Sequence, residues 1–356
     1  FRLVYVPGPP IGYDEHMMAG SYSGPSRYGF GQAASAAEEP ENMLDIIEKI
    51  TITSIVLSST AVVHHWEGKT ALLWGKSRRI TGDEMPAEAC VPMDGIIDIT
   101  DRMRPDGSID WKPPEGKWKI MRFGYTTMAE TNGSGIGQGL EADKFSREGA
   151  RIAFDGWYGR ILEHVGPRLS HEVVKMLNVD SWECGSQNWS PVFRDEFRAR
   201  RGYDVGKYLP LMAGIPVESA DVTEGFLFDV RRTIADLISD NFFEELKELA
   251  HARGSIVNTE AVPPGMISDG VLVHKNVDAT SSEFWVDIWN NWKPCDIADA
   301  ASGAHIYGKQ IVIAEAFTGG GSWKENPYDL KAMGDMHFVD GINRMMIHLW
   351  AAQPYP

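Results

Sequence analysis

Cysteine is scarce, basic charge is in deficit and long apolar runs are missing. Each shortage removes a class of function. The three cysteines, Cys90, Cys184 and Cys295, stand far apart in 356 residues and are odd in number. They exclude a disulfide scaffold and any four-cysteine zinc site. Lys and Arg total 34 against 50 Asp and Glu, a formal net charge of −16. A nucleic acid or an anionic membrane surface needs a basic face, so neither is expected as a partner. The longest charge-free stretch, Ile50 to Trp66, is broken by Thr, Ser and His and does not read as a membrane span. No G-x-S-x-G elbow for a serine nucleophile is found, and His64-His65, His305, His337 and His348 lack zinc-ligand spacing.

What is there is the composition of an ordered globular protein: 43% hydrophobic, 10% aromatic and 24% charged. The chain starts at Phe1 without Met and stops at Pro356 directly after an aromatic-rich stretch, so we expect a fragment. Residues 1–90 read as an irregular start to the barrel domain, with a helix over Pro40–Lys49 and a β-branched strand over Thr51–Leu57. Residues 91–127 read as a β-rich insertion. Asp106-Gly107 would turn a hairpin between Ile96–Thr100 and Ser108–Trp111, and Trp118–Phe123 would follow as a strand.

From residue 128 to 356 the texture changes to helix, glycine and short apolar strand in repetition. Helices are expected over Ser146–Val165, Phe193–Arg201, Thr223–Arg253, Cys295–Tyr307, Leu330–Met336 and Val339–Trp350. Gly166-Pro167, Gly202, Gly254 and Gly308 serve as stops. Strands are expected over Val173–Val179, Ser255–Thr259 and Gln310–Ala314. The pattern suits βα units on a parallel sheet buried on both faces. The fold class is therefore α/β, a (β/α)8 TIM-like barrel with the β-rich segment inserted in the N-terminal third. A doubly wound open sheet is the alternative; it would need a phosphate-binding glycine turn, and Gly133-Ser134-Gly135 opens no strong helix.

Where the strands end is the most informative feature. Val173–Val179 runs into Asp180-Ser181-Trp182-Glu183, Ser255–Thr259 into Glu260, and Gln310–Ala314 into Glu315; Glu283 follows Ser281-Ser282. In barrels the C-terminal strand ends carry the chemistry. A single Glu after a strand is ordinarily a solvated loop residue or a helix N-terminal charge, but several at equivalent positions point to a carboxylate site. Trp182, Trp189, Trp285, Trp289, Trp292 and Trp323 lie near these acids. Taken singly, each Trp is better explained as core; as a group they suit the apolar faces of sugar rings. Two carboxylates flanking a glycosidic bond are the usual apparatus of a glycosidase. Asp335, His337 and Asp340 could bind a metal or a hydroxyl, but a polar loop before a helix accounts for them equally.

These residues sit in longer motifs. They are Asp98-Ile99-Thr100 through Asp106-Gly107-Ser108-Ile109-Asp110-Trp111, Pro114-Glu115-Gly116-Lys117-Trp118, Gly139-Leu140-Glu141-Ala142-Asp143-Lys144 and Asp180-Ser181-Trp182-Glu183. They continue in Phe193-Arg194-Asp195-Glu196-Phe197, Arg200-Arg201-Gly202-Tyr203-Asp204, Ser282-Glu283-Phe284-Trp285 and Ala304-His305-Ile306-Tyr307-Gly308-Lys309. The last are Ala314-Glu315-Ala316-Phe317-Thr318 and Gly341-Ile342-Asn343-Arg344 with His348 and Gln353-Pro354. In these motifs, over about residues 95–356, the chain resembles the bacterial α-L-rhamnosidases of glycoside hydrolase family 106.

The resemblance implies a (β/α)8 catalytic domain that removes terminal α-L-rhamnose from an oligo- or polysaccharide by inversion. It also implies a calcium ion near the sugar's vicinal hydroxyls and a periplasmic or extracellular location. Carried over residue by residue, Glu183 matches the general acid and Glu315 the base that activates water. Glu283 is a metal ligand or the alternative base, and Glu260 a sugar or metal contact. Asp180, Trp182, Asp143, Trp285, Asn343, Arg344 and His348 are further substrate contacts. Arg344 and His348 could equally share one exposed face of the expected helix. A retaining glycosidase of another specificity, and a carbohydrate-binding protein without turnover, remain the alternative readings.

Overall fold

The computed structural model describes residues 61–72, 85–127, 140–182, 185–261, 268–286, 294–318 and 325–348. The expected helix over Pro40–Lys49, the strand over Thr51–Leu57 and the Gly133-Ser134-Gly135 turn lie outside them.

A parallel sheet organises the chain. Its strands are β1 (Met176–Val179), β2 (Ile256–Glu260), β3 (Ala279–Trp285), β4 (Val312–Thr318) and β5 (Arg344–Ile347), hydrogen-bonded in the order β1-β2-β3-β4-β5. Every neighbouring pair is parallel. Consecutive strands lying side by side with no reversal of order make the wall of a barrel, not a doubly wound sheet. The described residues hold five strands of that wall, a half-barrel, where eight were expected.

The helices among the described residues are α1 (Trp66–Lys69), α2 (Arg147–Phe154), α3 (Arg160–Glu172), α4 (Phe193–Arg201), α5 (Ala220–Leu237), α6 (Glu244–His251), α7 (Gly270–Val273), α8 (Pro294–Tyr307) and α9 (Pro327–Val339). None is long and apolar enough to cross a membrane. Ser146 caps α2 by accepting from the Gly149 N–H at 3.0 Å. Gly149 is required there: a Cβ would lie 2.0 Å from the Asp143 carbonyl oxygen. Gly166 and Pro167 kink α3 rather than end it. α4 stops at Gly202, which turns left-handed with φ +84°. The expected long helix over Thr223–Arg253 is α5 and α6 joined by a π-helical segment, Ile238–Phe243, and it starts earlier, behind the cap Ser219.

Two expectations fail. Residues 91–127 are not β-rich. They form short 3-10 turns, and the Asp106-Gly107 hairpin pairs through one bridge, Met103 to Ile109. Residues 118–123 find no strand partner among the described residues. The expected helix over Val339–Trp350 is instead the end of α9, a turn at Gly341 (φ +113°) and β5. The apolar residues at 339, 342, 345 and 346 have helical spacing, but Met345 and Met346 take up pairing with Ala314 and Glu315. Tertiary pairing overrides the periodicity.

One apolar core lies among β1, β2 and α2 to α6, built on Phe145, Phe193, Phe197, Phe226, Leu227 and Val257. A smaller one sits between β3 and β4 and the helices α8 and α9, around Phe284, Ala314, Ala316 and Met333. Burying each such side chain contributes roughly 1.5–3 kcal/mol. β3 is buried from Ala279 to Phe284 although Thr280, Ser281, Ser282 and Glu283 are polar. Among the described residues its apolar support comes from one side, through Phe284. Its other face carries Ser281 and Glu283 toward the inside of the curve.

Candidate active site

Register fixes which side chains share a face. Val179 pairs with Thr259, so Asp180 follows level with Glu260. Glu260 pairs with Ser281, Ser281 with Ile313, and Glu283 with Glu315. Since strand side chains alternate, Asp180, Glu260, Glu283 and Glu315 occupy one face, Asp180 and Glu260 at the C-terminal ends of β1 and β2, and Glu283 and Glu315 within the longer β3 and β4. Carboxylate oxygens of Asp180, Glu260 and Glu315 lie within 4.8 Å of one another. Asp180 is exposed, Glu260 is fully buried and the Glu315 side chain is 14% exposed.

Two unit charges at that separation repel by about 3 kcal/mol at an effective dielectric of 20. Three together favour a cation between them. The donor set fits calcium, a hard ion that takes carboxylate oxygens at ~2.3–2.6 Å, so two of its ligands stand at most about 5 Å apart. The expected metal ligand Glu283 is not in this trio. It is buried on β3, between the strands of Glu260 and Glu315, and its backbone N–H donates to the Asp296 carboxylate at 3.0 Å.

Glu315 is held from two sides. The Thr318 hydroxyl donates to Glu315 Oε1 at 2.6 Å, and His348 Nε2 stands 3.8 Å from the same oxygen. A bulge makes the first contact possible. Phe284 pairs with Ala316 and Trp285 with Thr318, which leaves Phe317 as an extra residue in β4 at φ +64°. Trp285 lies beside Thr318 at the mouth of the site, with 39% of its surface exposed.

The other expected contacts separate clearly. Trp182 is buried in the larger core, with the Lys144 ammonium 4.5 Å above its ring and that lysine paired to Glu141. Asp143 is spent on scaffolding. Its carboxylate accepts from Gln187 Nε2 at 2.6 Å, from the Ser190 hydroxyl at 2.7 Å and from the Phe145 N–H at 3.0 Å. Ser186 and Asn188 tie the same loop to the carbonyls of Ala71, Leu72 and Thr70.

Asn343 lies at the other end of the strands. It accepts from the Val312 N–H at 3.0 Å and donates to the Gln310 carbonyl at 2.8 Å. Arg344 pairs with Ile313, one layer below Glu315, and is exposed. Neither shares a helix face with His348, because β5 replaces that helix. Glu183, Cys184, Trp289, Trp292 and Trp323 lie outside the described residues. His337 is buried against Phe284, ring centroids 4.2 Å apart, with Nδ1 3.2 Å from Asp340, which makes it part of the core.

Sequence reasoning missed Thr318, Asp296 and a ladder in which Asn258 Nδ2 donates to Asn178 Oδ1 at 2.7 Å. The asparagines had a signal: polar residues at alternate positions of short apolar strands, two places before Asp180 and Glu260. Thr318 had none, because regular alternation puts it on the opposite face from Glu315.

A parallel α/β barrel wall with clustered acids toward its C-terminal strand ends is an architecture that glycoside hydrolases use. The family profile described as alpha-L-rhamnosidase, glycoside hydrolase family 106, matches residues 15–356, and the chain belongs to that family. A solved rhamnosidase from Novosphingobium sp. PP1Y superposes with a TM-score of 0.68 at 29% identity, over 85% of this chain and 30% of that one. A Formosa agariphila protein, provisionally named a beta-glucuronidase, is 36% identical over 273 residues, 76% of this chain and 23% of its own length. The chain thus spans a third or less of the relatives it matches.

Proposed function

We propose that this domain hydrolyses terminal α-L-rhamnose from glycans with inversion, Glu315 acting as the base and Glu183 as the acid. The observation that carries the reading is the convergence of Asp180, Glu260 and Glu315 toward the C-terminal strand ends of a family 106 barrel wall. Water bonds to the anomeric carbon and gives its proton to Glu315. The glycosidic C–O bond breaks, and the leaving oxygen takes the proton of Glu183.

Inverting pairs stand about 6.5–9.5 Å apart. The trio lies within 4.8 Å, so the acid has to come from outside it, as Glu183 would. Asp180 and Glu260 then hold the sugar's hydroxyls, directly or through a calcium ion. When bound, that ion would offset part of the cluster's negative charge and orient vicinal hydroxyls. Trp285 offers an apolar wall at the mouth.

A neutral deoxysugar also suits an acidic pocket better than a glucuronate, whose carboxylate the trio would repel. The second reading is retention, because two members of the trio stand near the roughly 5–5.5 Å of a nucleophile and acid pair. Proton NMR of the first sugar released from an α-L-rhamnoside separates them: the β-anomer first supports inversion, the α-anomer first supports retention. Release of glucuronate but not rhamnose from a matched pair of aryl glycosides would overturn the specificity.

A further inference from the structure

Resting on Glu315 as the base, we propose that Thr318 is a positioning residue that fixes the Glu315 carboxylate, and that the bulge at Phe317 exists to bring it there. In a regular strand, residue 317 would share the Glu315 face and Thr318 would point into the helical layer. The extra residue reverses this and turns the Thr318 side chain inward, where it is 6% exposed and its hydroxyl donates to Oε1 at 2.6 Å.

The bulge is held against an opposing preference. A left-handed conformation costs a residue with a Cβ about 1–2 kcal/mol, and Phe317 takes it at φ +64°. Packing offsets that cost. The Phe317 ring meets Phe284 edge to face with centroids 5.0 Å apart, and it lies against Gly334 of α9, where a Cβ would come within 3.4 Å of the ring. The Thr318 carbonyl also accepts from the Val286 N–H at 2.9 Å, which fixes the backbone beyond the bulge. With Oε1 engaged by Thr318 and faced by His348 at 3.8 Å, the attacking water is directed to Oε2. The effect is one of orientation: a general base displaced by about 1 Å loses about a hundredfold in rate.

The test compares Thr318→Val, Thr318→Ser and Glu315→Gln in the protein, with kcat and KM measured separately on an aryl α-L-rhamnoside. Thr318→Val keeps the branched shape and removes the donor; it should lower kcat by about 10–100-fold with KM within about threefold. Thr318→Ser keeps the donor and should stay within about threefold of the parent kcat. If Thr318→Val lowers the melting temperature, Thr318→Ala carries the same expectation. A crystal structure of the variant should show the Glu315 carboxylate in a different orientation.

Unchanged kcat in Thr318→Val, equal losses in the Val and Ser variants, or a change confined to KM would overturn the positioning role while leaving the base assignment standing. Retained kcat in Glu315→Gln would overturn the base assignment itself.

Discussion

Carboxylates are handled in opposite ways in two regions of this molecule. In the helical layer they meet guanidinium groups. Glu245, 4% exposed, receives Arg147 and Arg151 at 2.7 Å each, and Arg147 also reaches Glu244 and Glu248 at 2.9 and 3.0 Å. Arg200 bridges Glu196 at 3.1 Å and Asp240 at 2.8 Å, and Arg201 pairs with Asp236. Toward the strand ends, Asp180, Glu260 and Glu315 converge on each other. The first arrangement is complete within the chain and holds α2, α4, α5 and α6 in place. The second gathers like charge at one point, where the proposed ion or substrate would bind.

The comparison can be broken by moving charge in each region. The largest effect should come from the cluster. Glu260→Gln keeps the shape and should reduce kcat/KM by about 10–100-fold, the range seen when the surroundings of a metal or sugar site are altered. A chelator should lower activity of the parent protein by about tenfold or more, and added calcium should restore it. An unaffected rate after chelation would assign the trio to sugar hydroxyls alone.

Next comes Glu245→Ala. Removing the shared partner of two arginines should cost about 2 kcal/mol, after allowance for the partial exposure of Arg147 and Arg151. Thermal unfolding should show it as a drop of several degrees, with kcat unchanged. A loss of kcat without a loss of stability would erase the distinction between the regions.

A third test uses an uncharged burial. His274 is fully buried between α7 and α8, no hydrogen-bond partner among the described residues reaches either ring nitrogen, and burial pushes its pKa from 6.5 down to about 4. The unfolded chain therefore takes up the proton first. Stability is full above pH 6.5 and declines as pH falls toward about 4, by up to roughly 3 kcal/mol. His274→Leu should flatten that limb in denaturant titrations.

The smallest effect has the opposite sign. Burial, followed by Asp269, raises Asp299 from 3.8 to about 6, so its folded form holds the proton more tightly and stability falls as pH rises through that window. Asp299→Asn should stabilise by about 1 kcal/mol at pH 7, discounted for its partial exposure, and by nothing near pH 3. The two groups oppose each other between about pH 4 and 6, so each slope is visible only in the other's variant.

Much of this was legible in the sequence. Phe193–Arg201 with Gly202 reads directly as a helix and its stop, because amphipathic spacing and a left-handed glycine are local signals. Asp180, Glu260 and Glu315 are legible because each interrupts or ends a short apolar run. β5 was not: Met345, Met346 and Ile347 carry no β-branched signature until Ile347, and only pairing with β4 decides their state. The scaffolding role of Asp143 and the position of Asn343 at the far strand ends depend on partners 31 or more residues away in sequence. The inward turn of Thr318 depends on a bulge that side-chain alternation hides.

On the proposed reading, converging carboxylates do the chemistry while arginine-paired ones hold the fold. Glu315→Gln tests it most directly, by kcat on an α-L-rhamnoside beside the melting temperature of the same sample. The expected result is a fall in kcat of about 10²–10⁴-fold, the usual loss for a general base, with melting unchanged or slightly raised. A kcat within about threefold of the parent would contradict it.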